Sequence, residues 1–210
     1  MRSKIINNIM DQIKKYNDFD EIKLQEIKYG LETVYLTIIK TIVFILIAIL
    51  LNTIKGLLLF MLFYGIIRLT GFGVHAKKSL HCWISSIVIF VIIPILIKYV
   101  ILNNYILYVG SIISIILLSI YAPADTPKRP LINKRKRNIY KISTIIISII
   151  YFITIIMMKN NYIFTNTLFY SLLLESFLVT PFIYKIFGVS YKNYKTYKRK
   201  EDKKWNYLLL

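Results

Sequence analysis

What most constrains this chain is the rhythm of its apolar residues, which come in blocks of up to about twenty bounded by charge, roughly the length of helix that crosses ~30 Å of hydrocarbon. The blocks cover residues 33–51, 57–69, 83–102, 105–122, 142–158 and 162–182. A composition that is 57% hydrophobic and only 18% charged departs from the roughly 45–50% apolar and 25% charged residues of soluble domains. The expected fold class is therefore all-α, a polytopic membrane protein with about six transmembrane helices. The second block is short for a span, which puts Arg68 at its end and residues 71–76 at the interface or in a protein-lined recess. Pro94 is expected to kink the third.

Residues 1–30 place Ile5, Ile6, Ile9, Ile13 and Tyr16, then Ile22, Leu24 and Ile27, at mostly helical spacing among charges. This pattern predicts one or two amphipathic helices on the bilayer surface. Acidic residues such as Asp11, Asp18 and Glu21 interrupt any continuous apolar core, which argues against a cleaved signal peptide. The expected organisation is a surface segment (1–30), a six-span catalytic membrane domain (31–190) and a basic tail (191–210).

A formal charge of +18 would suit nucleic acid, an anionic membrane or an acidic peptide. In a chain with six spans it is read first as topology, and no nucleic acid is expected. With the N-terminus inside, Arg68, Lys77, Lys78, Lys128, Arg129, Lys134, Arg135, Lys136, Arg137, Lys141 and the lysine-rich tail fall in the cytoplasm. The outer turns receive only Lys55, Lys98 and Lys159, in agreement with the positive-inside rule. Both termini are expected in the cytoplasm of a bacterial cell, with the chain in its membrane.

Both histidines and the single cysteine fall within eight residues, His75 to Cys82. A thiol attacks a carbonyl as thiolate and needs a base or a positive environment to lower its pKa from about 8.5. In one continuous helix His75 and Cys82 would stand ~10 Å apart along the axis, beyond a hydrogen bond. The spacing thus predicts a break, with Gly71 and Gly73 permitting an irregular approach to His75. Ser79 then caps a helix that holds Cys82 in its first turn, where free N–H groups and the dipole favour a thiolate and an oxyanion. His81 would point about 100° away from its neighbour Cys82. The bland readings are a packed membrane cysteine and solvated interfacial histidines. Lys77 and Lys78 then merely anchor the boundary. A zinc site from these residues lacks an evident fourth ligand, and neither metal nor cofactor is expected.

Two acids stand apart. Glu175 lies inside the sixth apolar block, where an ionised carboxylate is costly unless paired or wet. It is either functional, protonated, or paired with Arg68 or Lys40. Asp125 is a candidate to orient His75, weighed against a solvated loop acid.

Arg68, Gly73, His75, Ala76 and Cys82 at this spacing, followed two spans later by Tyr121-Ala122-Pro123-Ala124-Asp125-Thr126-Pro127, resemble the AgrB family, the accessory gene regulator B proteins of Gram-positive quorum sensing. Phe72 departs from the pattern, since a second adjacent glycine is expected there. The resemblance implies a cysteine endopeptidase with Cys82 as nucleophile and His75 as general base. It also implies an AgrD-like propeptide substrate with an acidic tail, a thioester on Cys82, a cyclic thiolactone or lactone product, and a homodimer. Arg68 would hold a substrate carboxylate or the loop itself. Two other classes compete: a peptide transporter or exporter, in which Cys82 is dispensable, and a non-catalytic scaffold whose basic loops hold an acidic partner or lipid headgroups.

Overall fold

The computed structural model describes the backbone of residues 2–16, 19–74, 79–127 and 130–195; the side chains of 2, 4, 22, 23, 26, 29, 33 and 79–82 lie outside the description. The chain divides into two compact units, Met1–Leu50 and Leu51–Leu210.

The first unit is a pair of helices. In α1 (Arg2–Tyr16) Ile6 and Met10 are buried one turn apart while Ile5 and Ile9 are exposed, an amphipathic helix packed on α2. Helix α2 (Glu21–Leu50) runs unbroken from the charged stretch into the first apolar block, so what hydropathy divides at residue 30 is one helix.

The second unit holds α3 (Ile54–Gly71), α4 (Ser79–Ile87), a π-helical turn (Val88–Ile92), α5 (Ile93–Tyr99), α6 (Asn104–Tyr121), α7 (Lys134–Met157), α8 (Tyr162–Leu178) and the short α9 (Pro181–Ile186). Several starts have a local cause. Asn103 accepts the N–H of Tyr105, Asn133 those of Arg135 and Lys136, and Asn161 that of Phe164, so three long helices open on asparagine caps. Helix α3 is longer than its apolar block because it begins at Ile54, ahead of Lys55. The π turn lies immediately ahead of α5, where Pro94 sits in the first turn. A proline ring clashes with the carbonyl four residues back, and a π turn relieves that clash by shifting the hydrogen-bond register.

Residues 30–50, α3, α6 and α7 are each long and apolar enough to cross a membrane, and Trp83–Tyr99 is a shorter apolar helix. With α8 these make six apolar helical segments, and the molecule is an all-helical membrane protein. Its burial pattern is that of a chain dissolved in lipid. Isoleucines such as Ile113, Ile116, Ile142 and Ile146 face outward, whereas Ser111, Ser114, Thr144, Ser148, Thr167 and Ser171 are buried between helices. Small residues let helix backbones approach where no hydrophobic effect drives them together. Apart from Ser111, whose Oγ has no partner among the described residues, their hydroxyls bond to a carbonyl one turn back, as in Ser148 Oγ to Thr144 O at 2.7 Å and Ser171 Oγ to Thr167 O at 2.8 Å.

Helix α8 is the hub, packing against α3, α5, α6 and α7. Its Asn166, fully buried, donates Nδ2 to Ile97 O at 3.3 Å and Val100 O at 2.6 Å, satisfying carbonyls where α5 ends.

Candidate active site

The site is built around the end of α3. That helix stops because Phe72 and Gly73 both take positive φ, 64° and 85°. Such backbone is ordinary for glycine and strained for phenylalanine. The second adjacent glycine expected here would suit this geometry, and Phe72 occupies the position with its ring packed edge-on against Tyr140 at 4.9 Å.

Beyond the turn, residues 72–74 are pinned on three sides. Gly73 N donates to Ala124 O at 2.9 Å and Ala124 N to Gly71 O at 3.0 Å, a one-pair parallel bridge between this segment and the corner after α6. Val74 N donates to Leu178 O at 3.1 Å, at the end of α8. Arg68, in the last turn of α3, donates Nη2 to Val74 O at 2.7 Å and Nη1 to Glu175 Oε2 at 3.2 Å.

Glu175 is completely buried and paired with Arg68, which decides between the two basic partners expected for it. Its other oxygen, Oε1, has no hydrogen-bond partner among the described residues and lies against Gly71. A Cβ on Gly71 would overlap that oxygen, and one on Gly73 would overlap Arg68 Nη1. A side chain at either position would push the Arg68–Glu175 pair aside, and Gly73 is further favoured by its φ.

Asp125 is buried, 2% exposed, and not a solvated loop acid. Its Oδ1 accepts Asn193 N at 2.9 Å, and its Oδ2 accepts Tyr194 N at 2.7 Å and Leu131 N at 3.3 Å. Asn193 Nδ2 returns to Asp125 O at 3.2 Å. The carboxylate is the centre of a knot that ties the first residues of the basic tail to the corner after α6. Tyr184 completes it, its hydroxyl shared between Ala124 O at 2.8 Å and Asp125 O at 3.0 Å. Burial, the leading influence, raises the Tyr184 hydroxyl well above the ordinary phenol range, and likewise pushes Tyr191 up to about 12, so both stay protonated donors.

Helix resumes at Ser79, so Cys82 lies in the first turn of α4. His75, Lys77 and Lys78 fall outside the described residues, as do the side chains of Ser79, His81 and Cys82. Of the remaining expected site residues, Arg68, Gly73 and Glu175 come together at one point, and Asp125 joins them through Ala124. Tyr184 and Asn193 went unnoticed in the sequence. One tyrosine among 17 carries no signal, and Asn193 sits in a run that reads as plain basic tail.

The family model described as Accessory gene regulator B matches residues 4–179. The chain is similar to an AgrB-like protein of Clostridium acetobutylicum, 29% identical over 196 residues and 93% of each chain. It is also similar to accessory gene regulator protein B of Staphylococcus saprophyticus, 32% identical over 75% of this chain and 82% of the relative. Its counterpart in Staphylococcus epidermidis is 34% identical over 69% of this chain and 79% of the relative. No solved structure matches the chain.

Proposed function

The chain belongs to the accessory gene regulator B family, and on that footing we propose that it is a membrane cysteine endopeptidase that cleaves an AgrD-like, acidic-tailed propeptide through a thioester on Cys82. Family membership itself makes it a component of accessory gene regulator quorum sensing.

In the proposed reaction His75 takes the Cys82 proton and the thiolate attacks the scissile carbonyl carbon. The C–N bond breaks as the C–S bond forms, and His75 passes the proton to the departing amine. The acidic tail leaves, and a cysteine or serine of the retained peptide displaces Cys82 to close a thiolactone or lactone ring. Exchanging one thioester for another costs far less than making one from an amide, provided water is excluded from the acyl-enzyme.

The observation that carries this reading is the rigid approach to His75. A general base works only within about 2.6–3.2 Å of its proton. The residue before it, Val74, has its carbonyl held by Arg68 and its amide by the end of α8. Arg68, Gly73 and Glu175 are positioning residues in this scheme, and Asp125 positions the corner that brackets Gly73. Ser79 opens the helix whose first turn offers N–H groups to thiolate and oxyanion, and Lys77 and Lys78 attract the acidic tail. The ends of α3, α6 and α8 meet here beside the basic stretches, which supports a cytoplasmic site with both termini on the same side.

Co-expression with a propeptide tests the scheme. Cys82→Ala and His75→Ala should each abolish cleavage with the protein still in the membrane, His81→Ala should retain most activity, and an acyl mass should be trapped on Cys82. Full cleavage by Cys82→Ala would exclude the peptidase and favour a transporter or a scaffold.

A further inference from the structure

Between the corner after α6 and the start of α7 lies a cavity of about 230 Å³ that the peptidase scheme does not use. Its lining includes Arg137 and Lys141 of α7, Lys192, Tyr191 and Tyr194 of the C-terminal segment, and Asp125. We propose that this cavity binds the headgroup of an anionic phospholipid.

Charge comes first. Three cations face the cavity against a single carboxylate, and Asp125 is already covered by the backbone N–H groups of Leu131, Asn193 and Tyr194. Lys141 and Lys192 are exposed and available to a ligand. Arg137 is pre-organised: its guanidinium stacks on the Tyr194 ring at 3.9 Å and spends one N–H on Leu131 O at 3.2 Å. A guanidinium has five N–H donors, so most of the fork remains for a phosphate oxygen pair. The volume is below the roughly 300–1,000 Å³ of clefts that enclose drug-sized ligands, and suits a compact anionic group.

Surroundings then choose the source of the anion. Ile120 both lines the cavity and is 60% exposed. It ends an outward stripe on α6 with Ile113 and Ile116. The stripe follows helical spacing and runs from the cavity along a helix long and apolar enough to cross a membrane. A ligand with an anionic head and aliphatic chains engages the basic lining and the α6 stripe together, whereas a peptide carboxylate engages the lining alone. Basic pockets between membrane helices recognise headgroups in this way. Tyr191 and Tyr194, amphipathic rings in the lining, suit the interfacial depth of a headgroup.

The assignment needs only the membrane helices and the cavity, so it stands or falls separately from the peptidase. The full chain in detergent, analysed by native mass spectrometry with added phosphatidylglycerol or phosphatidylcholine, should retain one phosphatidylglycerol in clear preference. Replacing both exposed lysines, Lys141→Gln with Lys192→Gln, should weaken that retention about thirty-fold, and Arg137→Gln should weaken it further where the protein still folds. Neutralising Lys134 and Lys136, which do not line the cavity, should leave it unchanged. Equal loss in the two double variants, or no preference for phosphatidylglycerol, would overturn the site. Displacement of the lipid by equimolar inorganic phosphate or a glutamate-rich peptide would overturn the lipid as its ligand.

Discussion

Glu175→Gln is the most informative single change, because it removes one charge and almost no volume from the anchor behind His75. Glutamine keeps an oxygen for Arg68 Nη1, now 3.2 Å from a carboxylate, but gives up the charge assistance. Hydrogen bonds to charged groups contribute about 1.5–3 kcal/mol and neutral ones about 0.5–1.5, so the anchor should weaken by about 1–1.5 kcal/mol. If that loss is expressed wholly as misplacement of His75, kcat/KM for propeptide cleavage falls about five- to thirteen-fold. Glu175→Leu is harsher, since it also takes away the acceptor oxygen from a guanidinium that is only 17% exposed, and should destabilise the protein by about 3 kcal/mol. A readout that mere destabilisation would not move is available because the chain has one cysteine. The rate of iodoacetamide alkylation against pH reports the Cys82 thiolate alone, and in the parent protein its midpoint should lie below the ordinary thiol value of about 8.5. In Glu175→Gln the midpoint should move up toward that value in folded, membrane-inserted protein. Unchanged alkylation and cleavage would refute the idea that the Arg68–Glu175 pair holds the base in place.

Two further expectations concern the surrounding backbone. Asp125→Asn puts amide hydrogens where three backbone N–H groups now converge, and should loosen the C-terminal segment by about 2–3 kcal/mol; trypsin cutting after Lys192 and Lys195 should accelerate several-fold, and unchanged cutting would show that the knot is not held by the carboxylate. At position 72 the order of side chains should invert. Phe72→Gly should unfold at a temperature near that of the parent, relieving positive φ while losing the Tyr140 contact, and Phe72→Ala should be less stable than Phe72→Gly by about 1 kcal/mol; alanine matching or exceeding glycine would contradict the turn geometry.

Hydropathy alone located the membrane helices well, because burial in lipid acts on every residue of a span. The fourth block, expected at 105–122, is α6 at Asn104–Tyr121. It failed where charge and helix coexist. Helix α7 begins eight residues ahead of its apolar block, in a run of lysines and arginines, and the Asn133 cap was the available signal. The same blindness divided α2. Glu175 stood out as an acid inside hydrocarbon, which an isolated side chain does not tolerate, and Arg68 was one of its two expected partners. Asp125 was different. Its ligands are amides of residues 131, 193 and 194, and backbone donors brought together from separate stretches of chain leave no trace in residue types. That is also why Asn193 and Tyr184 passed unseen.

The polarity of α8 bears on how the protein is made. A 17-residue helix that buries Thr165, Asn166, Thr167, Ser171, Glu175 and Ser176 gains little from entering lipid by itself. Chain order resolves the difficulty, since α3, α5, α6 and α7 are all synthesised before it. When α8 leaves the ribosome, the carbonyls that Asn166 will bind and the guanidinium that Glu175 will meet already exist in the bilayer. The last long helix among the described residues is thus a keystone set into a standing arch, and a chain truncated before residue 162 would leave Arg68, at the end of its span, without its counter-charge.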